Sequence, residues 1–439
     1  MTNNERSYCL IASVIVYFLL NCLVVYEFYL CICQVIGVLE SNHACFAMTG
    51  SFANPGPLGG MMAMSLVMLV TFVWQNRDVK VWHIRTVVIL SIVSSILCFI
   101  VLPASISRAA WLAVGIALAV FGFKELELKK WIKGHKIKSV LLLLLMFVLV
   151  AGAFSLKKDS AIGRLHIWHM ELRAIIDEPW SGYGRGTALG VYGDTQAEYF
   201  SEKPRSPIIV KVAGSPEFPF NEYFKIGIEY GIFVMFGVIL FLISFIMILL
   251  KSRSPFAYGL IVLGVFAFFS YPLDAIGIKS DAERSWESVR HLLSLGLYED
   301  AVIALEPLYE NLKDNDDYLY DYGFALYKCG KSDASIDVLM QGTSISANPM
   351  FYNIIGKNYE AQEAYDKAEA SYLHAYYMVP HRIYPLTFLM RLHVRQGNDA
   401  EALRYGRKIL NSPINDKHER MCRLYYETKH CVDSLMLQD

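Results

Sequence analysis

Residues 178–186 read Glu-Pro-Trp-Ser-Gly-Tyr-Gly-Arg-Gly, and this stretch is the most informative part of the 439-residue chain. It lies in a long polar segment, residues 157–222, between two blocks of apolar sequence. The alternate glycines Gly182, Gly184 and Gly186 predict a tight turn that exposes backbone amides. Polar loops between membrane spans are where multispanning membrane proteins concentrate functional residues. We therefore expect functional residues in this loop.

The chain on either side of this loop divides into an apolar part and a polar part. It is 55% hydrophobic and 18% charged, but long apolar runs occur only up to about residue 273. A helix needs about 20 apolar residues to cross a bilayer. We therefore expect an all-α fold with a membrane domain of about seven spans in residues 1–273. The predicted spans are Tyr8–Tyr26, Leu58–Trp74, Val87–Leu102, Ala109–Phe123, Val140–Leu156, Gly231–Leu250 and Phe256–Leu273. A shorter apolar segment, Phe28–Leu39, is expected to be re-entrant or interfacial.

The distribution of Lys and Arg predicts the orientation of these spans. The connections after the second, fourth and sixth spans hold three, six and two such residues, whereas residues 40–57 hold none. Positive residues favour the cytoplasmic side. The N-terminus is therefore expected inside, with the loop 157–222 and the polar tail in the periplasm of a bacterial inner membrane.

Composition also excludes several classes of function. The net charge is −1, and no basic stripe suggests nucleic acid. Nine cysteines without a CxxC pair indicate neither a disulfide framework nor a zinc site. His166 and His169 have no obvious third ligand, so no metal is predicted. The glycine turn lacks the dinucleotide and Walker patterns, and no cofactor is expected.

The tail, residues 284–436, shows an internal repeat. Ala301, Ser335, Ala368 and Ala402 align at separations of 34, 33 and 34 residues (335−301, 368−335, 402−368). This period is typical of tetratricopeptide repeats, in which helix pairs stack into an α-solenoid. An unrelated helical bundle is the alternative. The concave surface of such a solenoid usually binds a partner, so a protein partner is a further expectation.

The segment before the glycine turn, residues 163–177, is predicted to be an amphipathic helix. Its apolar face carries Leu165, Trp168, Leu172 and Ile176. Arg164, Glu171 and Arg173 lie on its other sides. Pro179 is expected to end the helix.

Several arginines fall on the outer side of the membrane, against the usual bias. Arg108 lies at an outer span end, and Arg164 and Arg185 lie in the periplasmic loop. Arg108 could simply extend its side chain to the interface. Because guanidinium groups bind phosphate well, the three together suggest an anionic lipid head group as ligand.

One polar and two acidic residues also lie at the start of the sixth span. Asn221, Glu222 and Glu229 are expected close to the membrane surface, where charge is costly and commonly functional. A helix start capped by Asn221 is an equally good interpretation.

Taken together, these segments resemble the O-antigen ligase/polymerase family of bacterial inner-membrane glycan transferases. The likeness runs over residues 28–273. Its motifs are Gly50-Ser51-Phe52-Ala53-Asn54-Pro55-Gly56, Ser107-Arg108, Gly163-Arg164-Leu165-His166-Ile167-Trp168, the Gly182/Gly184 turn, and Asn221-Glu222-Tyr223-Phe224 leading to Gly231.

The resemblance implies transfer of a glycan from undecaprenyl diphosphate to an acceptor hydroxyl in the periplasm. The acceptor would be the lipid A core, another repeat unit or a protein side chain, with a slight preference for the ligase reaction. Arg108 and Arg164 would hold the diphosphate, and Arg185 is assigned to the same pocket. Glu222 or His166 would act as base. Asn221, Gly182 and Gly184 would support the site.

Two departures from the family pattern favour a second hypothesis. The family has a histidine just before the Asn of its last motif, where this chain has Phe220. Family members also usually have several more spans before the Asn-Pro-Gly segment. A catalytically inactive, membrane-anchored repeat scaffold is therefore the alternative. A transporter is the weaker third, since few charges lie inside the spans.

Overall fold

The computed structural model describes residues 3–126, 128–141, 158–272, 280–412 and 419–437. All regular secondary structure in these residues is helical, as the sequence predicts. In chain order the α-helices are α1 (Asn3–Val35), α2 (Pro55–Asn76), α3 (Trp82–Ala104), α4 (Arg108–Glu125), α5 (Leu128–Gly134), α6 (Lys158–Asp177), α7 (Ala188–Glu202), α8 (Pro207–Val212), α9 (Glu222–Tyr230), α10 (Ile232–Lys251), α11 (Phe256–Phe269), α12 (Asp281–Leu295), α13 (Tyr298–Leu305), α14 (Tyr309–Leu312), α15 (Asp316–Lys328), α16 (Ser332–Ile345), α17 (Met350–Ala361), α18 (Tyr365–Met378), α19 (Tyr384–Arg395), α20 (Asp399–Leu410) and α21 (Glu419–Met436).

The chain forms two compact units. The first, which we call the membrane unit, comprises Met1–Lys158, Phe220–Tyr223 and Val234–Gly277. The second, the loop–tail unit, comprises Asp159–Pro219, Phe224–Phe233 and Ile278–Asp439. The polar loop thus groups with the tail rather than with the apolar helices.

Four of the described helices are long and apolar enough to cross a membrane: α1 from Ala12 to Val35, α2, α3 and α10. A fifth candidate is the bent pair α4 and α5, and α11 is apolar but shorter. The predicted span Val140–Leu156 falls almost entirely outside the described residues. The prediction of a separate Phe28–Leu39 segment is wrong, because α1 continues to Val35 without a break. No Gly or Pro interrupts it before Gly37.

Helix α2 lies at the centre of the membrane unit, with most of its residues buried. Asn54 caps it by accepting a hydrogen bond from the Gly56 amide, 3.2 Å away. A Cβ added to Gly59 would lie 2.6 Å from the Ser105 hydroxyl and 2.7 Å from the Ser107 Cβ. The glycine therefore lets α2 approach the turn that precedes α4, which begins at Arg108.

The tail consists of short helices that each pack against the next, from α15 to α21. All four positions that align in the sequence, Ala301, Ser335, Ala368 and Ala402, are fully buried. Each lies near the start of the second helix of a pair, where a small side chain allows close packing. The sequence alignment therefore picks out equivalent core positions.

Candidate functional site

The glycine turn docks on a second motif through its main chain. The Tyr183 amide donates to the Ile228 carbonyl at 2.8 Å, and the Gly184 amide donates to the Glu229 carbonyl at 3.0 Å. In return, the Ile232 amide donates to the Pro179 carbonyl at 2.8 Å. The structure thus joins two segments that are separate in the sequence, 179–184 and 228–232. The second of them forms the end of α9 and the start of α10.

Two glycines make this docking possible. Gly182 and Gly231 have φ values of +66° and +83°, which L side chains rarely adopt. A Cβ on Gly182 would lie 2.6 Å from the Glu229 carbonyl carbon, and one on Gly231 would lie well under 3.0 Å from the Trp180 carbonyl oxygen. Both positions therefore require glycine, for backbone conformation and for space.

Helix α6 buries a face other than the apolar stripe identified from the sequence. Leu165, Leu172 and Ile176 are exposed, whereas the buried residues are His166, Met170, Glu171, Ala174 and Ile175. Met170 packs with Tyr192 of α7 and Ala347 of the tail. Hydrophobic periodicity identifies an apolar stripe, but it does not say which side of the helix meets the core.

The buried His166 is held by Gln196 of α7. The His166 Nε2 lies 2.9 Å from the Gln196 Oε1, which also accepts from the Tyr192 hydroxyl at 2.6 Å. The Gln196 Nε2 donates to the carbonyls of Gly214, at 3.0 Å, and Met378. These two carbonyls can only accept, so they fix the orientation of the amide.

That network defines the state of the imidazole. Since the Gln196 oxygen can only accept, the His166 Nε2 carries the proton. Burial lowers the pKa of His166 below its usual value, which favours the neutral ring. One nitrogen of this neutral ring is already hydrogen-bonded, and the rings of Tyr199 and Phe200 lie beside it. His166 is therefore better suited to positioning α6 than to taking a proton from a bulky acceptor.

Glu171 is a second titratable group on the buried face of α6. Its Oε2 has no hydrogen-bond partner among the described residues. Burial raises the pKa of Glu171 well above its ordinary value, because a low-dielectric environment disfavours the charged carboxylate. Burial therefore favours the protonated form of Glu171 over the carboxylate.

Helix α7 joins the loop to the tail. A Cβ on Gly190 would lie well under 3.0 Å from the main chain of Thr343 and Ser344, and one on Gly193 would lie 2.6 Å from the Met378 methyl group. Beside this seam, Asp194 accepts from the Tyr352 hydroxyl at 3.1 Å and pairs with His374 at 2.9 Å. A groove of about 350 Å³ runs along the seam.

The last predicted motif lies partly in the membrane unit. Asn221 is fully buried, and its Oδ1 accepts from the Tyr223 amide at 3.0 Å. It therefore acts as a local cap at the start of α9. The neighbouring Glu222 is also buried. Phe220, at the position of the family histidine, has its ring 5.6 Å from that of Tyr271.

The membrane unit also contains a buried glutamate, Glu27, on α1. The Glu27 Oε2 accepts from the Ser51 amide at 2.9 Å, and its Oε1 accepts from the Ser51 hydroxyl. Gln34 accepts from the amides of Thr49 and Gly50 at 2.9 and 2.8 Å. Together these side chains hold the loop that leads to Asn54 and α2.

The three predicted diphosphate ligands are distributed over both units. Arg108 is the first residue of α4 in the membrane unit and is half-buried. Arg164 is half-buried on α6, and Arg185 is exposed just after the glycine turn, both in the loop–tail unit. Gln196, which holds His166, is a site residue that the sequence analysis missed. No spacing or composition signal distinguishes it from other polar residues.

Comparison with known proteins supports the family resemblance over part of the chain. Residues 93–239 match the profile of the O-antigen ligase family. The matched region runs from within α3 into α10 and includes Arg108, His166, the glycine turn and Asn221. Among curated proteins, no similar relative was found.

Proposed function

We propose that this protein is a membrane glycosyltransferase that passes a glycan from undecaprenyl diphosphate to an acceptor hydroxyl. The observation that carries the proposal is the match of residues 93–239 to the O-antigen ligase family. The matched region contains both segments of the docked turn, 179–184 and 228–232, which meet through main-chain hydrogen bonds. Helices long enough to span a membrane are consistent with a lipid-linked donor.

The proposed chemistry needs a cationic clamp and a base. The acceptor oxygen attacks the anomeric carbon of the sugar, and the bond from that carbon to the phosphate oxygen breaks. Undecaprenyl diphosphate leaves with the bonding electrons, and Arg108 and Arg164, aided by Arg185, would stabilise its charge. The acceptor proton would pass to the Glu222 carboxylate. His166 is the second choice as base, because its Nε2 already faces Gln196.

The wider proposal retains the predicted organisation. It has about seven spans with the N-terminus inside, the loop 157–222 in the periplasm, and residues 284–436 as a periplasmic tetratricopeptide solenoid. The preferred acceptor is the lipid A core, with polysaccharide polymerisation or protein O-glycosylation as alternatives. The groove and concave surface of the tail are the regions where an acceptor or a protein partner would bind.

A second function is favoured by one observation. Phe220 replaces the family histidine and packs beside Tyr271, so an apolar contact occupies a position where the family has a titratable ring. This supports a membrane-anchored scaffold that has lost catalysis. The two functions differ in what they require of Arg164.

Complementation of a deletion strain would test the proposal. We would express wild type, Arg164→Ala and Glu222→Gln and score surface polysaccharide and glycoprotein ladders. Arg284→Ala is the matched control, since Arg284 is an exposed tail residue that pairs with Asp281, three residues before it. Loss of one group that stabilises the leaving charge should cut turnover by about 100-fold or more.

The transferase proposal requires that wild type and Arg284→Ala restore a ladder that Arg164→Ala does not. The molecule that carries the ladder would identify the acceptor. Full restoration by Arg164→Ala, or a ladder unaffected by the deletion, would establish the scaffold instead.

A further inference from the structure

Helix α6 exposes a line of large apolar side chains opposite its buried face. Leu165, Leu172 and Ile176 are 55%, 43% and 73% exposed. They are spaced i, i+7 and i+11, which places them on one side of a helix with 3.6 residues per turn. His166, Met170 and Ala174 face the core on the other side. Among the described residues of the loop–tail unit, neighbours cover the face with His166 and Met170 and leave the line of Leu165, Leu172 and Ile176 exposed.

The exposed line continues past the end of the helix. Trp180, four residues after Ile176, is 66% exposed, and its ring stacks on Phe233 with centroids 5.3 Å apart. Phe233 is the second residue of α10, a helix that is long and apolar enough to cross a membrane and has few buried residues. The apolar line of α6 is thus continuous with the entry of a candidate span.

Main-chain contacts hold residues 179–180 against the start of α10. The Pro179 carbonyl accepts from the Ile232 amide, and the Trp180 carbonyl lies against Gly231. Trp180 is therefore held at the level of the first turn of α10. Tryptophan at the end of a membrane helix is typical of the bilayer interface, where its ring is amphipathic enough to meet both head groups and acyl chains.

We infer that Leu165, Leu172, Ile176 and Trp180 form a lipid-contact face that rests on the surface of the bilayer. The partner is the phospholipid surface itself, with the apolar side chains at the boundary between head groups and acyl chains. A second copy of the chain or another protein would cover isolated apolar residues equally well. The contact between Trp180 and Phe233 favours lipid, because Phe233 lies at the start of α10, the helix expected to enter the bilayer.

One consequence rests on the proposed function. Arg164 directly precedes Leu165, so contact of Leu165 with the bilayer would hold the guanidinium at head-group depth. That is where the diphosphate of an isoprenoid-linked glycan lies. The lipid contact itself does not depend on catalysis and can be tested without it.

Photocrosslinking in lipid nanodiscs tests the inference directly. We would incorporate p-benzoylphenylalanine at Leu172, at Ile176 and, as control, at Lys203, an exposed residue just after α7. Full-length protein in nanodiscs of phosphatidylethanolamine and phosphatidylglycerol would be irradiated and analysed by mass spectrometry. Phospholipid adducts are expected at positions 172 and 176, with at least tenfold fewer at 203. A crosslinked dimer, another protein adduct or no enrichment over position 203 would overturn the inference.

A second measurement uses the wild-type chain and needs no substitution. Hydroxyl-radical footprinting in the same nanodiscs should oxidise Trp180 several-fold less than Tyr426, a tail residue of similar exposure in the structure. Equal oxidation of the two would also refute lipid contact. If lipid adducts form but no variant or wild-type chain restores a glycan ladder, only the proposed function fails.

Discussion

Two interfaces within the loop–tail unit, which we call seams, are held together by different kinds of contact. The glycine turn meets the segment 228–232 through main-chain hydrogen bonds, whereas α7 meets the tail through the side chains of Asp194 and Gln196 as well as close packing at Gly190. A main-chain seam tolerates many side chains but demands glycine where backbones touch. A side-chain seam depends on the identity and charge of each partner.

The largest effect is expected at the main-chain seam. Gly231→Ala would combine left-handed strain with a clash against the Trp180 carbonyl. We expect a loss of about 3 kcal/mol in the free energy of unfolding, measured by thermal denaturation of the purified protein. Gly184→Ala is the matched control, because Gly184 also has a positive φ but open space around its Cβ position. Equal losses in both variants would mean that strain, rather than contact, dominates.

The next effect concerns packing at the side-chain seam. Gly190→Ala would press a methyl group against the main chain of Ser344. We expect a cost of about 1–3 kcal/mol from overpacking and faster amide exchange in residues 188–202. Gly193→Ala should cost less, because the Met378 methyl group it meets can move.

Gly163→Ala provides the reference for both packing variants. Its Cβ would make ordinary contact with Val212 at 3.8 Å, and alanine is the better helix former. We expect stability equal to or above that of wild type. If Gly190→Ala behaves like Gly163→Ala, α7 is not closely packed on the tail in solution.

A smaller effect should appear as a pH dependence. The folded pKa of Glu171 is raised by burial from its ordinary value of 4.5, so folding stabilises the protonated form. This stability is present below about pH 4.5 and declines as the pH rises towards the folded pKa, by at most about 1.4 kcal/mol per pH unit. Glu171→Gln should remove this slope and raise the melting temperature more at pH 8 than at pH 5. Parallel pH profiles for the two proteins would contradict a buried, protonated Glu171.

The smallest effect is expected at the exposed pair of Asp194 and His374. Both side chains are partly exposed, and surface ion pairs contribute about 0–1 kcal/mol. Asp194→Asn keeps an acceptor for the Tyr352 hydroxyl and should change the melting temperature by no more than about 2 °C. A much larger loss would show that the seam depends on charge rather than on packing.

Elements of the fold that depend on local or periodic patterns were predictable from the amino-acid sequence. Apolar runs marked α2, α3 and α10, because the bilayer sets a minimum apolar length. The 34-residue spacing located Ala301, Ser335, Ala368 and Ala402, because each helix pair must bury an equivalent small residue. The motifs around Arg108 and Asn221 were also recognised from the sequence, and they lie in the region that matches the O-antigen ligase profile.

The contacts between segments that are distant in the sequence were not predictable and are known from the three-dimensional fold. The union of residues 179–184 with 228–232 depends on main-chain groups that are the same in every residue, so no side-chain pattern announces it. The buried face of α6 could not be chosen from periodicity, because Leu165, Leu172 and Ile176 form an apolar line as clear as that of the core. Which apolar face is buried depends on what the fold places against it.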